Sequence, residues 1–391
     1  MSEYVFYSAF PCTRPIYQSE ATRRFAWDSL HAVYGRDAME TPCVTLDGIS
    51  DFENLTSYDK YDAAVTEIAR HAPLRFCRGE LICGAATLGD ATSHVLPARY
   101  HGEIVLQSVS HLTCGFDRAL AEGVSSYERR IAERMTRPCD AGQLRFLQSL
   151  SNVCTALHIW HARYLAALRE LIAAADGGER RYYAELYENL ERVPFEAPRS
   201  FREGVQALWF LFDFTRLCGN WPGIGRVDLM LGGLYERDLA AGRITYEAAR
   251  ELIAHFFIKG CEWIRLDSRG SGDAQHYQNI VLSGCDGEGK DITNDVTYMI
   301  LDTVEEFPIS DFPIAVRINE NSDPKLYAAI SRVMRHGSGV CAVYNERLII
   351  DSLAEFGYPA EVARTFANDG CWEIQIPGKT CFTYHPIDMY A

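Results

Sequence analysis

Three short runs, Tyr277–Leu282, Ile314–Ile318 and Val340–Tyr344, are nearly unbroken in apolar and β-branched residues. Segments of helical character lie between and after them, at Asp295–Glu305, Pro324–Arg335 and Pro359–Phe366. This alternation constrains the fold more than any other feature of the chain. Parallel strands must be joined by a crossover of about a dozen residues or more, usually a helix. Strands that are apolar throughout belong to sheets covered by helices on both faces. Residues 270–391 are therefore expected to form parallel β/α units, with any site where strands run out into loops at their carboxyl ends.

The first two thirds read differently. Residues 60–72 have helical character and stop near Pro73, and Arg75–Asp90 reads as a short strand or extended turn. Phe116–Arg137 reads as one helix closed by Pro138. In Gln143–Ala175, Leu144, Leu147, Leu150, Val153, Leu157 and Trp160 step by three or four, the helical period. Gly177-Gly178 closes that helix. Further helices are expected over Glu179–Arg192, Ser200–Leu217 (Ser200 as N-cap, Gly204 as the weak point) and Tyr246–Ile258. The run Ala207–Phe212 is apolar all round and should be deeply buried. Residues 1–60 are expected to pack as a peripheral, loosely helical segment on a body formed by residues 60–391, which is helical to about residue 260 and β/α thereafter.

Charge and cysteine usage exclude several classes of function. The net charge is −15, which opposes nucleic-acid binding and adsorption to anionic membranes. No apolar run is long enough to span a bilayer, and Met1-Ser2-Glu3-Tyr4-Val5 does not begin a secretion signal, so a cytoplasmic protein is expected. Thirteen cysteines include no C-x-x-C pair and no zinc-ligand spacing, so no metal is expected and most are read as small buried hydrophobes. So many free thiols suit a reducing, anaerobic compartment.

One loop could carry chemistry. In Ala367-Asn368-Asp369-Gly370-Cys371-Trp372-Glu373, the thiol of Cys371 and the carboxylate of Glu373 stand at i and i+2, on one side of an extended chain. The pair reads either as a reactive sulfur with Glu373 as general base or acid, or as a buried cysteine beside a solvated carboxylate. Gly378-Lys379-Thr380 ends like a phosphate-binding loop, but position 373 is Glu where that loop needs glycine. Arg269–Asp273 is glycine-rich without a strand–helix context. His158 and His161, three apart on a helix, read as surface or core histidines.

Taken in order, several segments resemble the glycyl radical enzymes, the pyruvate formate-lyase-like group. These are Ser110-His111 through Tyr127-Glu128, Pro194–Phe201, Gly225-Arg226-Val227-Asp228, Gln278–Gly284, Asp311–Arg317 and Gly370–Glu373 followed by Pro377–Thr380. The resemblance covers nearly all of residues 60–391. It implies half of a ten-stranded barrel, a parallel β/α half-barrel preceded by a large helical region and wrapped around the cysteine loop. It also implies that a glycyl radical on a second loop takes hydrogen from Cys371, and that the resulting thiyl radical takes hydrogen from a small substrate. Glu373 would be the proton-transfer group, and His111 would bind a substrate hydroxyl. Asn220 and Trp372 would line the substrate pocket. Glu373 two residues after Cys371 is similar to the dehydratase, decarboxylase and lyase branch, with cleavage of a C–O, C–N or C–C bond.

Gly370 before Cys371 departs from the two adjacent cysteines of pyruvate formate-lyase, which speaks against its acetyl transfer. Trp372 replaces a small apolar residue, and Gly219-Asn220-Trp221 lacks the histidine of the diol dehydratases. The family's glycyl loop does not occur in these 391 residues. The resemblance thus implies a missing C-terminal half or a second polypeptide that carries it, and an inactive chain in isolation. It further implies an activating enzyme that uses an iron–sulfur cluster and S-adenosylmethionine, no directly bound cofactor, and a homodimer when complete. The alternatives are a pyruvate formate-lyase-type formate C-acetyltransferase and a catalytically silent half serving as a scaffold.

Overall fold

The computed structural model describes residues 3–38, 40–85, 87–93, 95–107, 109–262, 264, 278–337, 339–370 and 373–381. A small sheet comes first: β1 (Val44–Thr45) runs parallel to β2 (Ala98–Tyr100), which pairs antiparallel with β3 (Glu103–Ile104). The next five strands all run one way. β4 (Val109–Thr113) is parallel to β5 (Asn220–Gly223). A parallel bridge from Gly225 to Ile280 links the end of β5 to β6 (Ile280–Leu282). β6 continues into β7 (Ile314–Ile318) and β8 (Cys341–Asn345), again parallel. The result is a half-barrel of five strands in the order β4-β5-β6-β7-β8. A hairpin of β9 (Ala367–Asp369) and β10 (Glu373–Gln375), antiparallel, packs against β4 and β5.

The three apolar runs are parallel strands as expected, with helices at Asp295–Glu306 and Pro324–Met334 between them. All three residues of β6 are buried, and so are the first four of β7. β8 is the outer strand, with Val343 exposed. Tyr277 lies outside the described residues, as does the Arg269–Asp273 loop. The expected helix over Pro359–Phe366 shortens to Ala360–Ala363, while Glu346–Glu355 forms a helix that the sequence reading passed over.

In the helical region the caps act where expected. The helix Ala141–Ala174 opens on an Asp140–Gln143 capping box, and Ser200 caps Phe201–Leu217. Trp209, Phe210 and Phe212 on that second helix are wholly buried. Gly204 is no weak point, because its missing Cβ leaves room for Leu231 and Leu234 of the helix Val227–Ala240. Residues 116–137 form two helices, Phe116–Glu122 and Val124–Met135. The break falls at Gly123, which takes φ +74°, and a Cβ there would collide with the backbone of Phe195 and Glu196.

The segment 75–90 has no strand among its described residues. It is extended backbone fixed by side chains, as where Gln206 exchanges two hydrogen bonds with the backbone of Cys83. Residues 1–60 are more than a peripheral layer. Phe6, Phe25, Ala26 and Leu30 enter the main core, the last three from the helix Glu20–Leu30. No helix among the described residues is long and apolar enough to cross a membrane.

Candidate active site

The site is built by β4, β5 and the β9–β10 hairpin. Asp369 and Glu373 are cross-strand partners, so both carboxyls stand at one end of the β9–β10 pair. Cys371 and Trp372 lie outside the described residues. Gly370 takes φ +59°, and a Cβ there would overlap the His111 ring and crowd Glu373. The backbone conformation favours glycine, and the lack of space for a Cβ requires it.

His111 and Glu373, predicted as site residues from opposite ends of the sequence, meet here. His111 Nδ1 lies 3.2 Å from Glu373 Oε1, with side chains 6% and 15% exposed. His111 itself holds φ +59°, an uncommon conformation for a residue with a Cβ. Two groups that sequence reasoning missed hold it there. Gln375 donates from Nε2 to the His111 carbonyl and accepts the Thr113 N–H at 2.8 Å through Oε1. The Gly378 N–H donates to the Thr113 carbonyl at 2.8 Å. One side chain of β10 therefore aligns the backbone of β4, while a second, Glu373, meets the β4 imidazole.

Two more partners were not foreseen. Asn279, at the start of β6, donates from Nδ2 to the Gly370 carbonyl at 3.1 Å and ties the hairpin to the half-barrel. Asp369 is fully buried against Gly223 of β5, where a Cβ would stand 2.7 Å from its Oδ1. Burial pushes the Asp369 carboxyl well above the ordinary carboxylate range, and the charge of Glu373 adds to this. The N–H groups of Gly370, Gly223 and Leu112 pull the other way without reversing it. Of the groups around the hairpin, Asp369 is thus one whose carboxyl burial drives toward the neutral form. The only sequence signal for these groups was their presence in or beside the quoted motifs, since their roles depend on partners far along the chain.

Asn220 sits on β5 at the register of Val109, and its amide donates to the Cys218 carbonyl at 3.4 Å. The Pro377–Thr380 segment is a closed turn. The Ile376 N–H donates to Thr380 Oγ1 at 2.9 Å, and Gly378, at φ +67°, lets the backbone approach Gly115. Its amides serve the fold, which accounts for the phosphate-loop echo. His158 stacks on Phe195 and meets Glu128 at 2.7 Å, and buried His161 bonds the Leu190 carbonyl. Among the described residues, Cys77, Glu80 and Glu262 have metal-ligand spacing, but the Lys259 ammonium already pairs with both carboxylates.

This arrangement of half-barrel and buried hairpin can be set beside known proteins. The family model described as "Pyruvate formate lyase-like" matches residues 101–387. The chain belongs to this family, that of the glycyl radical enzymes. The match begins some forty residues later than the motif reading does. Among curated relatives, isethionate sulfite-lyase of Nitratidesulfovibrio vulgaris is 29% identical over 283 residues, 68% of this chain and 34% of that protein. Trans-4-hydroxy-L-proline dehydratase of Clostridioides difficile is 26% identical over 251 residues, 60% of this chain and 31% of that one. The glycerol-bound B12-independent glycerol dehydratase of Clostridium butyricum superposes with a TM-score of 0.77 at 21% identity, over 95% of this chain and 56% of that chain. This chain therefore spans about a third of the curated relatives' length and just over half of the superposed structure.

Proposed function

We propose that these residues are the first half-barrel of a glycyl radical enzyme of the lyase or dehydratase type, with Cys371 as the thiyl site. The observation that carries the reading is the 3.2 Å approach of His111 Nδ1 to Glu373 Oε1, with Glu373 two residues after Cys371 in the sequence. Nearby Asp369 and Gly370 are wholly buried, as suits a radical that must be kept from water. The glycyl radical, carried on a segment outside these residues and installed by an activating enzyme that uses S-adenosylmethionine and an iron–sulfur cluster, would supply the unpaired electron. Everything else falls to this chain. Cys371 takes a hydrogen atom from a substrate carbon and later returns one. Glu373 accepts the proton of the neighbouring hydroxyl, and His111 delivers a proton to the departing group. Asn220 and Trp372 would line the pocket, and the open edge of β8 would receive the other half-barrel.

The named relatives, a sulfite-lyase and two dehydratases, support a small substrate that loses a leaving group. Thirteen cysteines and a radical site fit a reducing, anaerobic cytoplasm. Gly370, in place of a second cysteine, disfavours acetyl transfer. The test is Cys371→Ser in the complete, activated enzyme. The glycyl radical signal should persist while turnover disappears, because an O–H bond is too strong to give its hydrogen to that radical. Turnover at the wild-type rate would overturn the reading. A complete wild-type enzyme that forms the radical but converts no diol, amino alcohol or sulfonate would favour a scaffold.

A further inference from the structure

A second constellation of reactive side chains lies far from the hairpin, where the N-terminal segment crosses the end of the helix Pro324–Met334. Cys12 is half-buried, and its Sγ lies 3.3 Å from His336 Nδ1. Ser8 Oγ lies 3.2 Å from the same sulfur and 3.1 Å from the same nitrogen. The other ring nitrogen, Nε2, faces Glu305 Oε1 at 3.9 Å and makes no hydrogen bond, although His336 is wholly buried. Burial and the nearby guanidiniums of Arg14 and Arg335 push the His336 pKa down, with Glu305 opposing them. The ring is therefore neutral near pH 7, able to carry its proton on Nε2 toward Glu305 and leave Nδ1 to accept from the thiol. Thiol, imidazole and carboxylate stand in the order used to activate a nucleophile.

Two observations independent of that cluster point to a ligand. The first is Arg14. It is 7% exposed and is held by the carbonyls of Tyr7, Val304 and Glu305, yet its Nη2 has no acceptor. A buried, unpaired guanidinium N–H is costly unless an oxygen arrives to meet it. The second is a cavity of about 480 Å³ that Cys12 and Arg14 both line. Its other walls are largely apolar, and Val5, Phe10 and Ile16 leave more than half of their surface exposed. The N-terminal segment is fixed over it. The Ala9 N–H donates to the His336 carbonyl at 3.0 Å, and Gly337, at φ +71°, lacks the Cβ that would strike Ala9 and Phe10.

We propose that Cys12, His336 and Glu305 form a second nucleophilic site, which takes the acyl group of a small activated ester with an apolar acyl chain. The Cys12 proton passes to His336 Nδ1 as Sγ attacks the carbonyl carbon and a C–S bond forms. The Arg14 guanidinium, on the wall of the same cavity, stabilises the oxygen that becomes negative. The C–O bond to the alcohol breaks, and the leaving oxygen takes the proton from His336. Thiol and ester become thioester and alcohol, with no further reactant. The apolar cavity selects the acyl chain.

The experiment treats the whole chain with p-nitrophenyl butyrate near pH 7 and follows acylation of each cysteine by peptide mass spectrometry. Cys12 should react at least ~10²-fold faster than exposed Cys381, the low end of general-base assistance. Arg14→Lys and His336→Asn should each slow Cys12 by ~10-fold or more and leave Cys381 unchanged. Equal rates at Cys12 and Cys381 in the unsubstituted chain, a comparison that needs no variant to fold, would overturn the proposal. So would an unaltered Cys12 rate in Arg14→Lys.

Discussion

Lys259, Glu80 and Glu262 are wholly enclosed, whereas His111 and Glu373 keep 6% and 15% of their side chains exposed. Both groups place charge or potential charge inside the protein, and they handle it in opposite ways. In the first, one ammonium meets two carboxylates, with Arg75 near Glu262 and Trp209 beside the amine. Burial opposes the charge on Lys259, but the two carboxylates outweigh it and hold its pKa well above the ordinary value. Burial pushes Glu80 up to about 7 even so. That cluster uses its acids and base on one another and fastens the segment 75–90 to the helix Tyr246–Lys259. At the hairpin, burial pushes the Asp369 carboxyl up, while Glu373 stands beside an imidazole and keeps part of its side chain exposed. An enclosed charge network secures a fold, whereas a partly open one can exchange protons with a substrate.

Breaking the enclosed network should have the largest effect on stability. Lys259→Met leaves two buried carboxylates facing each other, and a loss of ~3–5 kcal/mol is expected. The loss should be larger at pH 8 than at pH 5, where the carboxyls can take up protons. Denaturant melts at the two pH values check both statements. Disturbing the scaffold of the open site should cost less. Gln375→Leu strands the His111 carbonyl and the Thr113 N–H, at about 1–3 kcal/mol for each group left unmet. Gly370→Ala adds ~1–2 kcal/mol of left-handed backbone strain and displaces the His111 ring, so turnover of the complete enzyme should fall further than its melting temperature suggests.

Asp369→Asn tests the upward shift of the buried Asp369 carboxyl. A carboxyl whose folded pKa lies above its unfolded value near ~3.9 stabilises the protein fully only below that unfolded value. Its contribution is lost as pH rises through the folded pKa. Wild-type stability should therefore decline over that interval relative to Asp369→Asn, which resembles the protonated acid at every pH. The difference between paired melts across pH 4–8 measures it. A constant difference would mean that Asp369 is ionised in the folded protein.

The parallel strands and most helices were legible in the sequence, because each rests on local pattern or short spacing. Ser200 signals its cap from three residues away, and Ile314–Ile318 shows its burial in its own composition. What stayed hidden depends on distant partners. Gln375 reads as one more polar residue until its amide meets a strand 264 positions earlier. Gly123 looks tolerable inside a helix until the backbone of Phe195 and Glu196 occupies the space of its Cβ. The segment 75–90 resembles a strand because it is extended and partly apolar, yet side chains such as Gln206 satisfy its backbone. The Asp369 carboxyl is pushed up by burial, close against Gly223, which no local pattern encodes.

The smallest change in stability is expected from Glu373→Gln, which keeps the size of the side chain and should stay within about 0.5 kcal/mol of wild type. The same substitution gives the most direct test of the account. In the complete, activated enzyme, turnover is measured together with the amplitude of the glycyl radical signal. Removing the proton acceptor beside His111 should leave the radical intact and slow turnover by ~10²–10⁴-fold. Turnover equal to wild type, with the radical intact, would contradict the assignment of His111 and Glu373 as the proton-transfer pair.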